Sequence, residues 1–161
     1  MRPPHWLVGL LLAASAFGCE ADFFKQIRPL PPAEEQRANF QKGEFKTWML
    51  STSVFLEMWG PPTFEHRQTT TFFVVENNGA VNYVPNFRVP LGETPPGWIH
   101  QMIHKEGRFF AYERREEMIG FVEDRFVYRE RMSAEDMEKL RKHWEYEARF
   151  QLDLEKQRNM Q

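Results

Sequence analysis

Cysteine is nearly absent from this chain, occurring once in 161 residues, at Cys19. A lone cysteine closes no disulfide within the chain, so apolar burial must hold the fold. A surplus of one charge is missing too, since 21 Lys and Arg stand against 23 Asp and Glu, a net −2. No strongly basic surface is on offer to a phosphate backbone, which argues against a nucleic-acid partner. Long apolar runs are also lacking. The stretch Trp6–Gly18 falls short of the roughly 20 residues a membrane-spanning helix needs. There is no nucleophile motif, glycine-rich phosphate loop or metal signature, so nothing in the residue pattern argues for an enzyme or a cofactor.

What is present starts at the first residue. Met1–His5 carries Arg2 and no acid, and Trp6–Gly18 is apolar or small. A basic start, a short apolar core and a small-residue exit predict a signal peptide over residues 1–18. Cys19 follows at once. Ala16-Phe17-Gly18-Cys19 resembles the lipobox of bacterial lipoproteins, in which the cysteine carries a diacylglyceryl thioether and becomes the acylated, palmitate-type N-terminus. Cys19 is therefore the expected lipidation site. Ordinary cleavage after Ala16 or Gly18, leaving a free thiol, is the alternative. Glu20 stands where an aspartate signals inner-membrane retention, which favours the outer membrane and a periplasm-facing domain. Loss of residues 1–18 leaves 143 residues and removes the charge of Arg2, taking −2 to −3. That length suits one modest domain.

Residues 19–42 read as lipid anchor and tether, stiffened by Pro29, Pro31 and Pro32. Residues 43–161 read as a single domain. A helix is expected over Phe45–Trp59, with Ser51 as N-cap of its firmest part and Gly60-Pro61-Pro62 ending it. Thr69–Glu76 is β-branched and aromatic, and Asn77-Asn78-Gly79 predicts a hairpin returning through Ala80–Val84. Arg108–Glu113, Met118–Val122 and Phe126–Glu130 predict a meander with charged turns. Between these blocks, Pro85–Gly107 reads as a long inserted loop with a helical turn or two over Trp98–Lys105. Ser133-Ala-Glu-Asp136 opens a C-terminal helix over 134–157. The fold class is α+β: a short N-terminal helix packed on an antiparallel meander of three to five strands, with a long C-terminal helix.

Aromatic residues are the abundant feature. Phe72-Phe73 and Phe109-Phe110 are consecutive, and neighbours on a strand point to opposite faces. Either both sheet faces are covered or some aromatic surface is exposed for a partner. Within the loop, Phe87, Trp98, Met102 and Ile103 are the candidate partner-binding residues, with Trp98 at their centre. Trp98 acting as a lid over an open sheet face is the competing reading. His100 and His104 would share a face of a helix, but no third ligand stands at a diagnostic spacing.

Leu56-Glu-Met-Trp-Gly-Pro-Pro-Thr63, Phe110-Ala-Tyr112 and Phe121-Val-Glu-Asp-Arg-Phe-Val127 follow a lipidated start and a polar spacer. This order resembles the SmpA/OmlA-like lipoproteins, whose best-known member serves the outer-membrane β-barrel assembly machine. The resemblance covers about residues 43–131. It implies a helix layer on a three- or four-stranded sheet, a scaffolding role and no active site. The loop 85–107 and the long C-terminal helix depart from the family pattern. The expected function is a non-enzymatic envelope lipoprotein that binds another protein, in outer-membrane assembly or maintenance. The alternative is a periplasmic or surface domain holding a small ligand or metal beneath loop 85–107.

Overall fold

The structure is a computed structural model that describes residues 28–77, 80–89 and 98–160, with only the backbone for Asn77 and residues 98–102. The elements run α1 (Ala33–Gln41), α2 (Thr52–Trp59), β1 (Phe64–Asn77), β2 (Ala80–Pro85), β3 (Trp98–Tyr112), β4 (Glu117–Val122), β5 (Arg125–Arg131) and α3 (Ala134–Asn159). The five strands pair antiparallel in the order β2-β1-β3-β4-β5. The fold is α+β, a meander with a long C-terminal helix.

Both faces of the sheet are covered, which resolves the paired phenylalanines. Phe72, Phe109, Ala111, Met118 and Tyr128 face one way and pack against Met137 and Trp144 of α3. Phe110, Tyr112, Ile119, Phe121 and Phe126 face the other way, against Phe40 of α1 and Val54 and Phe55 of α2. Strand alternation thus sends one residue of the Phe109-Phe110 pair into each core. Gly107 makes the first core possible. A Cβ there would lie 2.7 Å from the Phe72 and Phe109 rings, which stack 6.0 Å apart across it.

The sheet coils until its edge strands meet. The Asn82 side chain of β2 accepts from the Arg129 N–H of β5 at 3.1 Å and donates to its C=O at 3.4 Å. The rest of the β5 edge is taken by residues 48–52. Trp48 N–H donates to Phe126 O at 2.7 Å, and Phe126 N–H donates to Leu50 O at 2.8 Å. An edge that would otherwise invite another chain is thereby satisfied from within.

Several local expectations are corrected. The tether assigned to residues 19–42 contains α1, whose Gln36 accepts from Ser51 N–H at 2.8 Å and donates to Pro31 O at 2.7 Å. Phe40 sits edge-on to Phe55 at 4.9 Å, so the domain includes α1. The helix expected from Phe45 begins at Thr52, because residues 48–50 are committed to the β5 edge. Its end is as expected, with Gly60 at φ 78° closing a bond to Leu56 O. Trp98–Lys105 is strand, not helix. It pairs with β1 from Val75↔Trp98 to Thr70↔Lys105, and β3 continues the pairing to Phe64↔Ala111, so a loop over 85–107 shrinks to residues 86–97. The C-terminal helix runs to Asn159.

The first hairpin pairs Asn77 with Ala80, so Asn78-Gly79 joins β1 to β2; those two residues lie outside the described residues. Two-residue links of this composition favour positive φ at both positions. Gly79→Val should therefore cost about 1–3 kcal/mol, read as a melting temperature several degrees lower. Melting like the unaltered chain would refute a positive φ at Gly79.

Candidate protein-contact site

Of the four loop candidates, the structure describes the side chains of Phe87 and Ile103. Phe87 lies in a 3-10 turn and packs edge-on against Phe109 at 5.1 Å and Trp144 at 5.3 Å. Ile103 is 4 % exposed and belongs to the same core. Ile103 is corrected from a contact residue to a core residue, and Phe87 is half-buried against that core. Trp98 and Met102 stand on β3, opposite Val75 and Phe73; their side chains lie outside the described residues. Cys19 lies outside them as well, as do residues 90–97. Phe72 and Phe109 share their core with Met137 and Trp144 of α3, while the lid reading of Trp98 falls on a side chain outside the described residues.

The start of the 86–97 connection is pinned. Arg88 holds Glu130 of β5 through two bonds of 2.8 and 2.6 Å, and the Tyr128 hydroxyl also donates to Glu130. The ion pair with Glu130 holds Arg88 above the usual guanidinium range, despite partial burial. Burial raises the Tyr128 hydroxyl well above the ordinary phenol value, so it stays protonated as a donor.

The surface that does stand free is the far half of α3, a site the loop-centred reading missed. Ser133 caps the helix, its Oγ accepting from Asp136 N–H at 3.1 Å. Met137, Leu140 and Trp144 fall on one face and dock on the sheet. Trp144 stacks flat on His66 at 3.9 Å and 11°. Burial lowers the His66 imidazole below its ordinary value, with a Gln68 hydrogen bond and the Glu147 charge opposing. Trp144 is the last docked residue, and every residue from Glu145 to Met160 is exposed. Residues 145–159 continue for about 22 Å of helix at 1.5 Å per residue.

That free half is not merely polar. Tyr146 is 68 % exposed, Phe150 51 % and Leu154 37 %. Spaced by four, the three share one helix face. Ion pairs such as Arg141–Glu145 at 2.5 Å and Arg149–Glu145 at 3.8 Å, with His143 3.2 Å from Glu147, brace the helix around them. Such exposed pairs each contribute little, because solvent screens them. A solvated helix of this length is marginal by itself and gains most by burying an apolar stripe. The signal was legible: Tyr146-x-x-x-Phe150-x-x-x-Leu154 repeats every four residues on a face away from Trp144.

Among the described residues no three His, Cys, Asp or Glu side chains gather as a metal would require. His100 and His104 lie on a strand, where four residues span about 13 Å, so the helical pairing expected of them does not arise. No described helix is long and apolar enough to cross a membrane. Compared with known proteins, the chain matches no family model, no curated sequence and no solved structure.

Proposed function

We propose that this chain is a lipid-anchored envelope module that binds another protein and performs no chemistry of its own. Cys19 would hold it to the membrane, with the outer membrane and its periplasmic side favoured by Glu20. One observation carries the protein-binding reading: an apolar stripe, Tyr146-Phe150-Leu154, on a helix that has left the body of the domain. Helices presenting anchors at such spacing are a recurrent docking element. The resemblance to SmpA/OmlA-like lipoproteins supports a scaffolding role in outer-membrane assembly or maintenance.

Affinity purification from envelope extracts tests the reading. The full chain and the variant Tyr146→Glu/Phe150→Glu/Leu154→Glu are each recovered, and their co-purifying proteins compared. The stripe makes no core contact, so the variant should melt like the parent and lose its partner. Recovery of the same proteins by both would defeat the proposal. Mass spectrometry of the mature N-terminus tests the anchor separately: a diacylated Cys19 is expected, and an unmodified chain starting at Phe17 or Cys19 would refute it.

A further inference from the structure

The junction between α2 and the sheet holds a second feature, distinct from the apolar stripe of α3. Trp59 ends α2, and Gly60-Pro61-Pro62 turns the chain sharply into β1. Tyr112 ends β3 beside it and donates its hydroxyl to Gly60 O at 3.1 Å, while Thr63 N–H donates to Ala111 O at 2.7 Å. Trp59 and Tyr112 meet edge to face at 5.2 Å. A 3-10 turn, Glu113–Arg115, then carries two arginines over the gap. The result is an open cleft of about 530 Å³ lined by Trp59, Pro61, Thr63, Tyr112, Arg114 and Arg115.

The two arginines stand apart from the others nearby. Arg67 and Arg108 hold Glu65, Arg129 holds Glu117, Arg131 holds Glu116, and Arg37 holds Glu57. Among the described residues, neither Arg114 nor Arg115 has a carboxylate within ion-pair distance. Arg115 instead rests on the Trp59 ring, its Cζ 4.8 Å from the centroid. A guanidinium resting on a ring in this way keeps N–H donors for an anion. Of the carboxylates flanking the turn, Glu116 and Glu117 are already held by Arg131 and Arg129, while Glu113, on the turn itself, lies beyond ion-pair distance of both arginines.

We infer that this cleft binds an acidic, extended peptide segment, with Arg114 and Arg115 gripping a carboxylate and Trp59, Pro61 and Tyr112 receiving an apolar neighbour. The planar fork of arginine matches a carboxylate with two parallel bonds. Three backbone donors at the cleft, the kind that cradles a phosphate, are already committed: Thr63, Glu113 and Glu116 N–H donate to Ala111 O, Thr63 Oγ1 and Glu113 O. The cleft is open, not enclosed, so a free small acid would bury little of itself there. A chain laid across the aromatic wall would bury more.

The probe is a short fluorescent peptide alternating Glu and Phe, titrated by anisotropy against the full chain in mild detergent. A matching Gln and Phe peptide and inorganic phosphate serve as comparisons. The acidic peptide should bind saturably and weaken with salt, and Arg114→Ala/Arg115→Ala should weaken it by about tenfold or more. Both side chains are exposed, so that variant should melt like the parent. Arg114→Lys/Arg115→Lys keeps the charge and loses the fork, and it should show a clear loss as well. Equal binding of Glu and Gln peptides, or full affinity in both double variants, would overturn the inference. Complete displacement by equimolar phosphate would also overturn it, by showing a simple anion site. Since α3 is untouched throughout, these outcomes are distinct from failure of the helix-docking proposal.

Discussion

Phe55→Ala should lower the unfolding free energy by about 3–5 kcal/mol, the range for truncating a large aromatic in a packed interior. Phe55 is 0 % exposed and is the hub of the second core. Its ring meets Phe40 at 4.9 Å, Phe121 at 5.2 Å, Trp59 and Phe126 at 5.5 Å, and Phe45 at 5.8 Å. These partners come from α1, the segment after it, α2, β4 and β5, so none can collapse into the void without dragging an element along. Alanine therefore loses both the transfer term and the dispersion contacts around the cavity. Urea denaturation measures it. A loss below about 1 kcal/mol, the scale of an ordinary substitution, would mean that α1 and α2 do not cover this face.

Trp144→Ala should have an effect of the same order, about 3–5 kcal/mol, acting on the opposite core. Trp144 is 4 % exposed and bridges α3 to Phe64, His66, Phe87 and Phe109. Its removal undocks the helix and uncovers Phe87 and Phe109 together. Six residues on, Phe150→Ala should cost no more than about 0.5 kcal/mol, as an exposed position does. The contrast is the useful part. A comparable loss at both positions would mean that the far half of α3 packs on the domain and is not free.

Much of the sheet is readable from residue order, and its misread parts have definite physical origins. Glycine and proline after Trp59, Ser133 before Asp136, and charged turns between short apolar runs act locally, and each stands where expected. The first half of β3 is different. Trp98-Ile-His-Gln-Met-Ile-His-Lys105 mixes polar and apolar residues on both faces, because only Ile103 of its described side chains enters a core while His104 is exposed. What makes it a strand is pairing with the long β1, a tertiary cause that no local window contains. Likewise α1 has few apolar residues, and its prolines precede it, so it resembles a tether until Phe40 finds Phe55. Of the contact candidates, Phe87 and Ile103 were chosen for being apolar in a supposed loop. Burial in the core accounts for Ile103, and Phe87 packs half-buried against the same core. The Tyr146-Phe150-Leu154 stripe was visible as spacing, but its exposure depends on where docking stops, and that is set by Trp144.

The most direct measurement is photo-crosslinking in intact envelopes, with a photoreactive residue at Phe150 and, as a control, at Lys139, which is exposed on the docked half of α3. The expected result is a discrete adduct to a single protein species from position 150 and none from 139. The same background from both positions would contradict the claim that the free half of α3 is the surface this protein uses to hold its partner.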